Sequence, residues 1–189
     1  MTNDTFLPSD YEVPSSSDKY MKLVKGDNRF RILTSPILGY ELWVDEGDRR
    51  VPKRTPMDKP FTTDEAENPE DIKHFWAMVV YNYANKKIQI LEVTQKGIQK
   101  TLRALAKDED WGSPVQKYDI VITRTGDGME TKYETLPKPA TKMDEGIITT
   151  FEAMKIRLGA LYESKDPFST EDEVDVEEID KGIQKSKLK

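Results

Sequence analysis

The sequence predicts a mainly β fold: a five-stranded barrel with one inserted helix, followed by a C-terminal helix and an acidic tail. Three observations lead to this prediction. Short segments of alternating polar and bulky residues are separated by turn-forming residues. One helical stripe interrupts these segments. A second helical stripe follows them and leads into a run of acidic residues, a composition that cannot bury a core.

Seven segments have the pattern of strands. The most apolar, residues 74–83, is joined by the turn at 84–87 to the next segment, which predicts a hairpin. The Gly-containing turn at 125–128 predicts a second hairpin, closed by the prolines at 137 and 139. Residues 45–73 are polar and contain four prolines, which predicts a long loop. The seven segments are residues 20–23, 29–33, 38–44, 74–83, 88–93, 118–124 and 131–136.

Two segments have the period of an amphipathic helix. Residues 95–107 carry Ile98, Leu102 and Leu105 on one stripe, with Thr94 as the expected N-cap. A helix between the third and fourth strands is the OB-type arrangement, so this helix predicts an OB-type barrel. A general α+β sandwich would have a similar order of elements. The second helix, at 144–162, is indicated by Ile147, Phe151, Met154, Leu158 and Leu161.

Composition divides the chain into four regions. We expect a flexible leader at 1–18, an OB-type domain at 19–143, a C-terminal helix at 144–162 and a disordered acidic tail with a basic end at 163–189. The net charge of −6 is uneven: the leader carries −4, the domain +3 and the remainder −5. Because nucleic-acid binding depends on where bases cluster, the negative total does not exclude a nucleic-acid partner.

Several classes of protein are disfavoured by what the chain lacks. It has no cysteine, so disulfides, thiolate nucleophiles and zinc-thiolate sites are excluded. No apolar run approaches the roughly 20 residues of a membrane span. The first 18 residues carry four acids and no base, which is the wrong charge for a secretory or transit peptide. We therefore expect a soluble, cytoplasmic protein without a membrane partner.

Catalytic patterns are weak. The one histidine, His74, begins a strand and has no cysteine to pair with, and no phosphate-binding glycine loop precedes a helix. We expect no enzymatic activity, no cofactor and no metal. The alternative is a Mg²⁺-dependent nuclease using two acidic clusters, although such runs are more simply solvated loops and helix ends. These clusters are Asp45, Glu46 and Asp48, and Asp108, Glu109 and Asp110.

Aromatic and basic residues are interleaved along the domain. Single-stranded nucleic acid needs both types, because rings stack on unpaired bases and cations neutralise phosphates. For each aromatic, packing in a core is the alternative, and for the cations it is a solvated loop. RNA is a possible ligand because neither contact distinguishes the sugars. The candidates are Tyr40, Trp43, Arg49, Arg50, Lys53, Arg54, Lys73, Trp76, Tyr81, Lys86, Arg124 and Lys132.

The acidic tail has a possible binding role of its own. A flexible anionic segment can occupy a cationic groove of the same chain and compete with DNA. It can equally dock on replication or recombination proteins, with Phe168 as the anchor for a partner. A tail that only improves solubility is the third alternative. An OB-type module that binds proteins through this tail is therefore the second functional hypothesis.

Six ordered strings across residues 19–143 resemble OB-fold single-stranded DNA-binding proteins of tailed phages. Neither tail takes part in the resemblance. It is specific because the strings keep their order along the whole domain. The strings are GDNRFRIL (26–33), SPILGYE (35–41), KHFW (73–76), IQILE (88–92), DWG (110–112) and YDIVITRTGDG (118–128).

The resemblance implies sequence-independent coating of single strands in phage replication, recombination or repair, in the host cytoplasm and without a catalytic step. It contributes to the assignment of Arg29, Arg31, Trp76 and Arg124 as DNA-binding residues. Two features depart from the family. The chain lacks the cysteines of members that hold a structural zinc. Its acids are followed by lysines at the C-terminus, whereas acidic tails in the family commonly end the chain; these lysines are Lys185, Lys187 and Lys189.

Overall fold

The computed structural model describes residues 16–114 and 117–169. Within them it is mainly β, with seven strands and two α-helices. The strands are β1 (Gly26–Ile32), β2 (Ile37–Glu46), β3 (Arg49–Pro56), β4 (Lys73–Asn82), β5 (Lys87–Val93), β6 (Tyr118–Thr125) and β7 (Lys132–Ala140). The helices are α1 (Lys96–Lys107) and α2 (Glu145–Met154). None of the helices in this part of the chain is long and apolar enough to cross a membrane.

The seven strands belong to one sheet, in the order β3-β2-β4-β1-β6-β7, and β5 also pairs with β4. The pairings of β1 with β4 and β6, of β2 with β3 and β4, and of β6 with β7 are all antiparallel. Contacts divide the chain into two compact units, and the boundary lies inside β4. Unit 1 comprises Met1–Ser35 and Met78–Ala140, and unit 2 comprises Pro36–Ala77 and Thr141–Lys189.

Unit 1 is built from β1, the end of β4, β5, α1, β6 and β7. Alternate residues of β1 and β6 form its apolar core, in which Phe30, Ile120 and Ile122 are fully enclosed. Helix α1 buries Ile98 and Leu102, as its amphipathic pattern predicts. The helix follows β5 and precedes β6, which confirms its predicted place in the chain. Its N-cap is Gln95 rather than the predicted Thr94.

Unit 2 contains the β2–β3 hairpin, the first half of β4 and the C-terminal elements. Phe75 is its most enclosed aromatic residue, at 0% exposure. The predicted C-terminal helix at 144–162 is two helices. Helix α2 ends at Met154, the next residue, Lys155, adopts a left-handed φ of 48°, and a 3₁₀ helix follows at Leu158–Glu163. A left-handed residue cannot continue an α-helix, so the chain turns at this point.

The strand predictions are correct for most of the sheet and wrong in three places. Residues 49–56 form β3 instead of part of a long loop. Its prolines are tolerated because β3 ends the strand order of the sheet, where a missing N–H leaves no ladder bond unpaired. Residues 20–23 form no strand, and Tyr20 pairs with Ile90 in an isolated bridge. Strand β7 continues through the prolines that were expected to close it. With β3 gained and 20–23 lost, the described residues contain one sheet of seven strands, where a five-stranded barrel was predicted.

Candidate nucleic-acid interface

The register of unit 2 places three aromatic rings on one face of its sheet. Tyr40 of β2 pairs directly with His74 of β4, and Leu38 pairs with Trp76. Directly paired residues of an antiparallel sheet project to the same side. Tyr40, His74 and Trp76 therefore lie on one face, which we call the aromatic face; Leu38, 39% exposed, lies beside them.

The three rings form a row. The Tyr40 and His74 centroids are 5.8 Å apart, and those of His74 and Trp76 are 6.5 Å apart at 85°. The Trp76 indole Nε1 donates a hydrogen bond to His74 Nε2 at 2.9 Å, and His74 Nδ1 lies 2.8 Å from the carbonyl oxygen of Gly39. All three side chains are half-buried, so each retains exposed surface. Such a row can stack on successive unpaired bases.

Two candidate cations share the aromatic face. Lys53 pairs with Leu42 across the β2–β3 hairpin, and Arg49 pairs with Glu46 near its end. Lys53 Nζ is 3.6 Å from Glu46 Oε1, but both side chains are more than half exposed. An ion pair this exposed stabilises the fold little, so the lysine can exchange its partner for a phosphate at small cost. The hairpin thus brings two exposed positive charges to the side that carries the rings.

The opposite side of the hairpin, which we call the packed face, carries Arg54. Its Nη2 lies 3.0 Å from Glu41 Oε2, and both side chains are more than 90% buried. Its guanidinium also stands 5.6 Å from the ring centroid of Phe75. Arg54 is therefore enclosed in a strand, and not exposed in a loop as the sequence predicted. The sequence alone could not separate it from Lys53, its neighbour on the other face.

Trp43, Arg50 and Lys73 share the packed face by register. Trp43 is 44% exposed, and its Nε1 donates to Glu41 Oε1 at 2.8 Å. Arg50 and Lys73 are both exposed. The interleaved pattern of the sequence therefore divides between two faces: Tyr40, Arg49, Lys53 and Trp76 lie on the aromatic face, and Trp43, Arg50, Arg54 and Lys73 lie on the packed face.

The 3₁₀ helix Leu158–Glu163 packs against the packed face of unit 2. The Tyr162 hydroxyl donates to the carbonyl oxygen of Leu38 at 2.8 Å, and its ring lies 6.2 Å from that of Phe75, edge to face. Burial raises the pKa of Tyr162 above its ordinary value, since the charged phenolate is poorly solvated there. This helix therefore covers part of the side that carries Arg54.

In unit 1, Arg31 is not available to a ligand. Its side chain is 0% exposed, and its Nε donates to Asp119 Oδ1; Asp119 is itself 1% exposed. Because this guanidinium is enclosed and neutralises an enclosed carboxylate, it presents no surface to a phosphate, and we leave Arg31 out of the candidate interface. The sequence of β1 does not reveal that an acid of β6, Asp119, lies within reach of this arginine.

Arg29, two residues earlier on the same face of β1, is half exposed. It also binds Asp119, and its guanidinium stands 4.8 Å above the ring of Tyr83. The rings of Tyr83 and Tyr81 meet edge to face with centroids 5.0 Å apart. Lys132 of β7 is exposed and projects to this face by register. Unit 1 thus has its own group of rings and cations.

Tyr83 belongs to this group but was absent from the predicted site. Its hydroxyl donates to Asp119 Oδ1 at 3.0 Å. Burial raises the pKa of Tyr83 above its ordinary value, and the hydrogen bond to the Asp119 carboxylate raises it further. The two-residue spacing from Tyr81 was the available signal, since it places both rings on one side of the chain.

Arg124 and Lys86 lie apart from the Arg29 group. Arg124 pairs with Gly26 and so projects from the other side of the sheet. Its Nη1 donates to the carbonyl oxygen of Leu23 at 2.9 Å, and its Nε is buried without a partner in the structure. Lys86 is exposed in the turn between β4 and β5 at a φ of 57°. The structure therefore does not gather all the predicted cations of unit 1 on one surface.

The two acidic clusters have structural partners in the fold. Asp45 and Glu46 stand opposite Arg50 and Arg49 in the hairpin register. Asp108 Oδ1 accepts the backbone N–H of Asp110 at 2.9 Å and so shapes the turn after α1. Among residues 16–114 and 117–169, no group of three or more acids or histidines is arranged to hold a metal ion.

Phe168, the predicted partner anchor, lies at the end of the described residues. It is half-buried, and its backbone N–H donates to Asp166 Oδ1 at 3.0 Å. The preceding Pro167 is buried, and its carbonyl oxygen accepts the N–H of Arg157 at 2.8 Å. The segment around Phe168 is thus held against the end of unit 2. The remainder of the tail and the first 15 residues lie outside the described residues.

No protein-family model matches this chain. No curated protein and no solved structure matches it either. A function for the chain is therefore argued from the geometry of its own residues.

Proposed function

We propose that this chain binds single-stranded DNA with little preference for base sequence, and that the aromatic face of unit 2 is its principal contact surface. The row Tyr40–His74–Trp76 is the observation that carries the proposal. Half-buried rings 5.8 and 6.5 Å apart can each receive one base while remaining held by the sheet. Stacking contributes roughly 1–3 kcal/mol per base and does not depend on base identity.

Phosphate contacts come from the hairpin beside the rings. Strand β3 contains four basic residues and no acid, and its two cations on the aromatic face, Arg49 and Lys53, are exposed. Each phosphate that a cation neutralises releases counterions, so the affinity of the complex falls with salt. The net charge of −6 does not oppose this, because the local charge at the ligand sets the attraction.

An OB-type fold of unit 1 is part of the proposal. Its five strands are neighbours in the order β5-β4-β1-β6-β7, with α1 between the third and fourth strands of the unit in chain order. The β2–β3 hairpin enters the chain between the first and second of these strands. OB proteins bind oligonucleotides with the loop at that position, which supports assigning the ligand to this hairpin.

The group around Arg29 supports the same function in unit 1. The rings of Tyr81 and Tyr83 lie beside a half-exposed guanidinium. Rings of this kind can stack on bases, and the guanidinium can bind a phosphate. The resemblance to phage single-stranded DNA-binding proteins suggests the process in which the chain acts, which is the coating of single strands during replication, recombination or repair. RNA is the alternative ligand, since stacking and charge do not read the sugar.

The test is fluorescence anisotropy of a labelled oligo-dT, titrated at low and high salt with duplex and RNA competitors. Trp76→Ala should weaken binding by about 5- to 150-fold, the loss of one stacking contact. Trp43→Ala is the matched control, because this exposed tryptophan lies on the packed face; it should change affinity less than twofold. Lys53→Ala should lower the slope of log affinity against log salt by about 0.7, the value for one phosphate contact on a single strand.

Equal losses in the two tryptophan variants would reject the aromatic face as the contact surface. Absence of binding by the wild-type chain should be followed by the same titration without residues 163–189. Binding by the shortened chain would indicate that the tail competes with DNA. Failure of both chains would reject DNA binding and leave the protein-interaction module as the function.

A further inference from the structure

His74 stands in the middle of the aromatic row, and both of its ring nitrogens have partners there. Nδ1 lies 2.8 Å from the carbonyl oxygen of Gly39, and Nε2 lies 2.9 Å from the indole Nε1 of Trp76. A carbonyl oxygen can only accept a hydrogen bond, and an indole N–H can only donate one. Nδ1 must therefore carry the proton and Nε2 must be bare. The two bonds together select one neutral tautomer of the imidazole.

A second proton on this ring would go to Nε2, the atom that faces the Trp76 indole. Both partners would then be donors, so their hydrogen bond would be lost and the indole would be repelled. The bond to Gly39 would survive because Nδ1 keeps its proton. Protonation therefore breaks the hydrogen bond to Trp76 and keeps the one between His74 and Gly39 of the neighbouring strand β2.

We infer that His74 is a positioning residue that holds the Trp76 indole in the aromatic row only while its ring is neutral, so that acidification releases Trp76 and weakens single-stranded DNA binding. The effect on DNA rests on the proposed function. The release of the indole does not, because it is a property of the free protein.

The charged residues on the strands beside β4 have partners of their own. On the aromatic face, Lys53 and Glu46 of the neighbouring strands pair with each other, and Arg49 stands opposite Glu46. On the packed face, Arg54 pairs with Glu41, while Lys73 contacts the carbonyl oxygen of Glu70. Histidine is the side chain that ordinarily changes charge between pH 5 and 8.

Protonation has two opposed effects on DNA binding, and their sizes decide the outcome. A new positive charge near the DNA strand adds about one phosphate contact. For a slope of log affinity against log salt of about 0.7, one such contact raises the affinity roughly fourfold at about 0.15 M salt. Loss of one stacked ring costs roughly 5- to 150-fold. We therefore expect a net loss of affinity at low pH, accompanied by a steeper salt dependence.

The first experiment follows the three indole N–H signals of the full chain by ¹H–¹⁵N NMR, without DNA, between pH 8 and pH 5. Assignment uses single Trp→Phe variants. We expect the Trp76 signal to move with a one-proton transition. Trp43 is the control, because its N–H donates to the Glu41 carboxylate, which remains an acceptor; its signal should stay constant. His74→Gln, which retains an acceptor but does not titrate, should abolish the transition at Trp76.

A Trp76 signal that is constant over this range, or one that moves equally in His74→Gln, would overturn the inference. The wild-type titration decides the matter even if the variant fails to fold. The second experiment measures oligo-dT affinity at pH 8 and pH 5.5. Unchanged affinity at pH 5.5 despite a released indole would reject the positioning role. Absence of binding at both pH values, with the indole released, would reject the proposed function and leave the His74 switch standing.

Discussion

Arg31 and Asp119 form an enclosed ion pair in unit 1. The guanidinium Nε of Arg31 contacts Asp119 Oδ1, and the two side chains are 0% and 1% exposed. The same carboxylate binds Arg29 from the solvent side and accepts the hydroxyl of Tyr83. One acid therefore organises two arginines and a tyrosine, and only the outer arginine of this network remains exposed to a ligand.

The first prediction separates the structural arginine from the exposed one. Asp119→Asn leaves the Arg31 charge buried without its counter-charge, so the free energy of unfolding should fall by about 3–5 kcal/mol. Arg29→Met removes a half-exposed partner and should cost about 1 kcal/mol or less. Urea denaturation measures both. If Asp119→Asn were no more destabilising than Arg29→Met, the enclosed pair would not be the dominant contact of the network.

The second prediction concerns alkaline pH. The folded-state pKa of Tyr83 is raised by burial and then by its bond to Asp119. Because folding favours the neutral phenol, the stabilisation is fully present below the unfolded-state pKa of about 10 and is lost as pH rises through the folded-state pKa. Tyrosinate absorbance should show Tyr83 titrating above the ordinary range.

Tyr83→Phe is the variant that checks this pH dependence. It removes the hydrogen bond to a charged acceptor, so it should cost about 1–3 kcal/mol at pH 7. It should also reduce the loss of stability between pH 9 and pH 11, measured by urea unfolding. Tyr162→Phe is the comparison in unit 2. Burial raises the pKa of that phenol too, but its hydroxyl donates to a backbone carbonyl and not to a carboxylate, so this variant should change the alkaline profile less than Tyr83→Phe does. A wild-type alkaline profile in Tyr83→Phe would contradict the assignment.

The third prediction concerns the close approach of β2 and β3 at Gly39. A Cβ at Gly39 would overlap the Thr55 carbonyl oxygen and lie 3.0 Å from Phe75 Cε1. Because backbone must move to relieve that overlap, Gly39→Ala should destabilise the chain by about 1–3 kcal/mol. It should also weaken oligo-dT binding, since Gly39 supplies the carbonyl that holds His74.

Gly97→Ala is the matched control for this change. Gly97 lies in α1, and a Cβ there would meet no atom within 4 Å. Alanine restricts the backbone of the unfolded chain more than glycine does. Gly97→Ala should therefore raise the free energy of unfolding by about 0.4–1 kcal/mol and leave DNA affinity unchanged. Thermal unfolding of the two variants measures the difference. Equal effects of the two substitutions would show that the hairpin tolerates a side chain at Gly39.

Local patterns predicted the elements that depend on near neighbours. The alternation at residues 118–124 and the Gly-containing turn after it correspond to β6 and its hairpin with β7. The stripe through Ile98 and Leu102 corresponds to α1. In these segments the periodicity and the turn residues indicate the same element that the burial shows, so a single sequence is enough to predict the element.

Two of the mispredicted elements were missed because local preference and tertiary position disagree. Strand β3 reads as a loop, since its two prolines and four bases are poor strand signals, yet an edge position accommodates them. The C-terminal stripe reads as one helix, but the left-handed Lys155 interrupts it.

The candidate site shows what the sequence determined and what only the tertiary structure decided. The sequence by itself determined that rings and cations are interleaved, and that His74 and Trp76 share a side of their strand, because strand residues alternate. Only the tertiary structure decided that Lys53 faces the rings, that Arg54 is packed on Glu41 over Phe75, and that Arg31 is enclosed with Asp119. Burial and charge pairing are set by partners distant in sequence, and one strand's alternation contains no information about them.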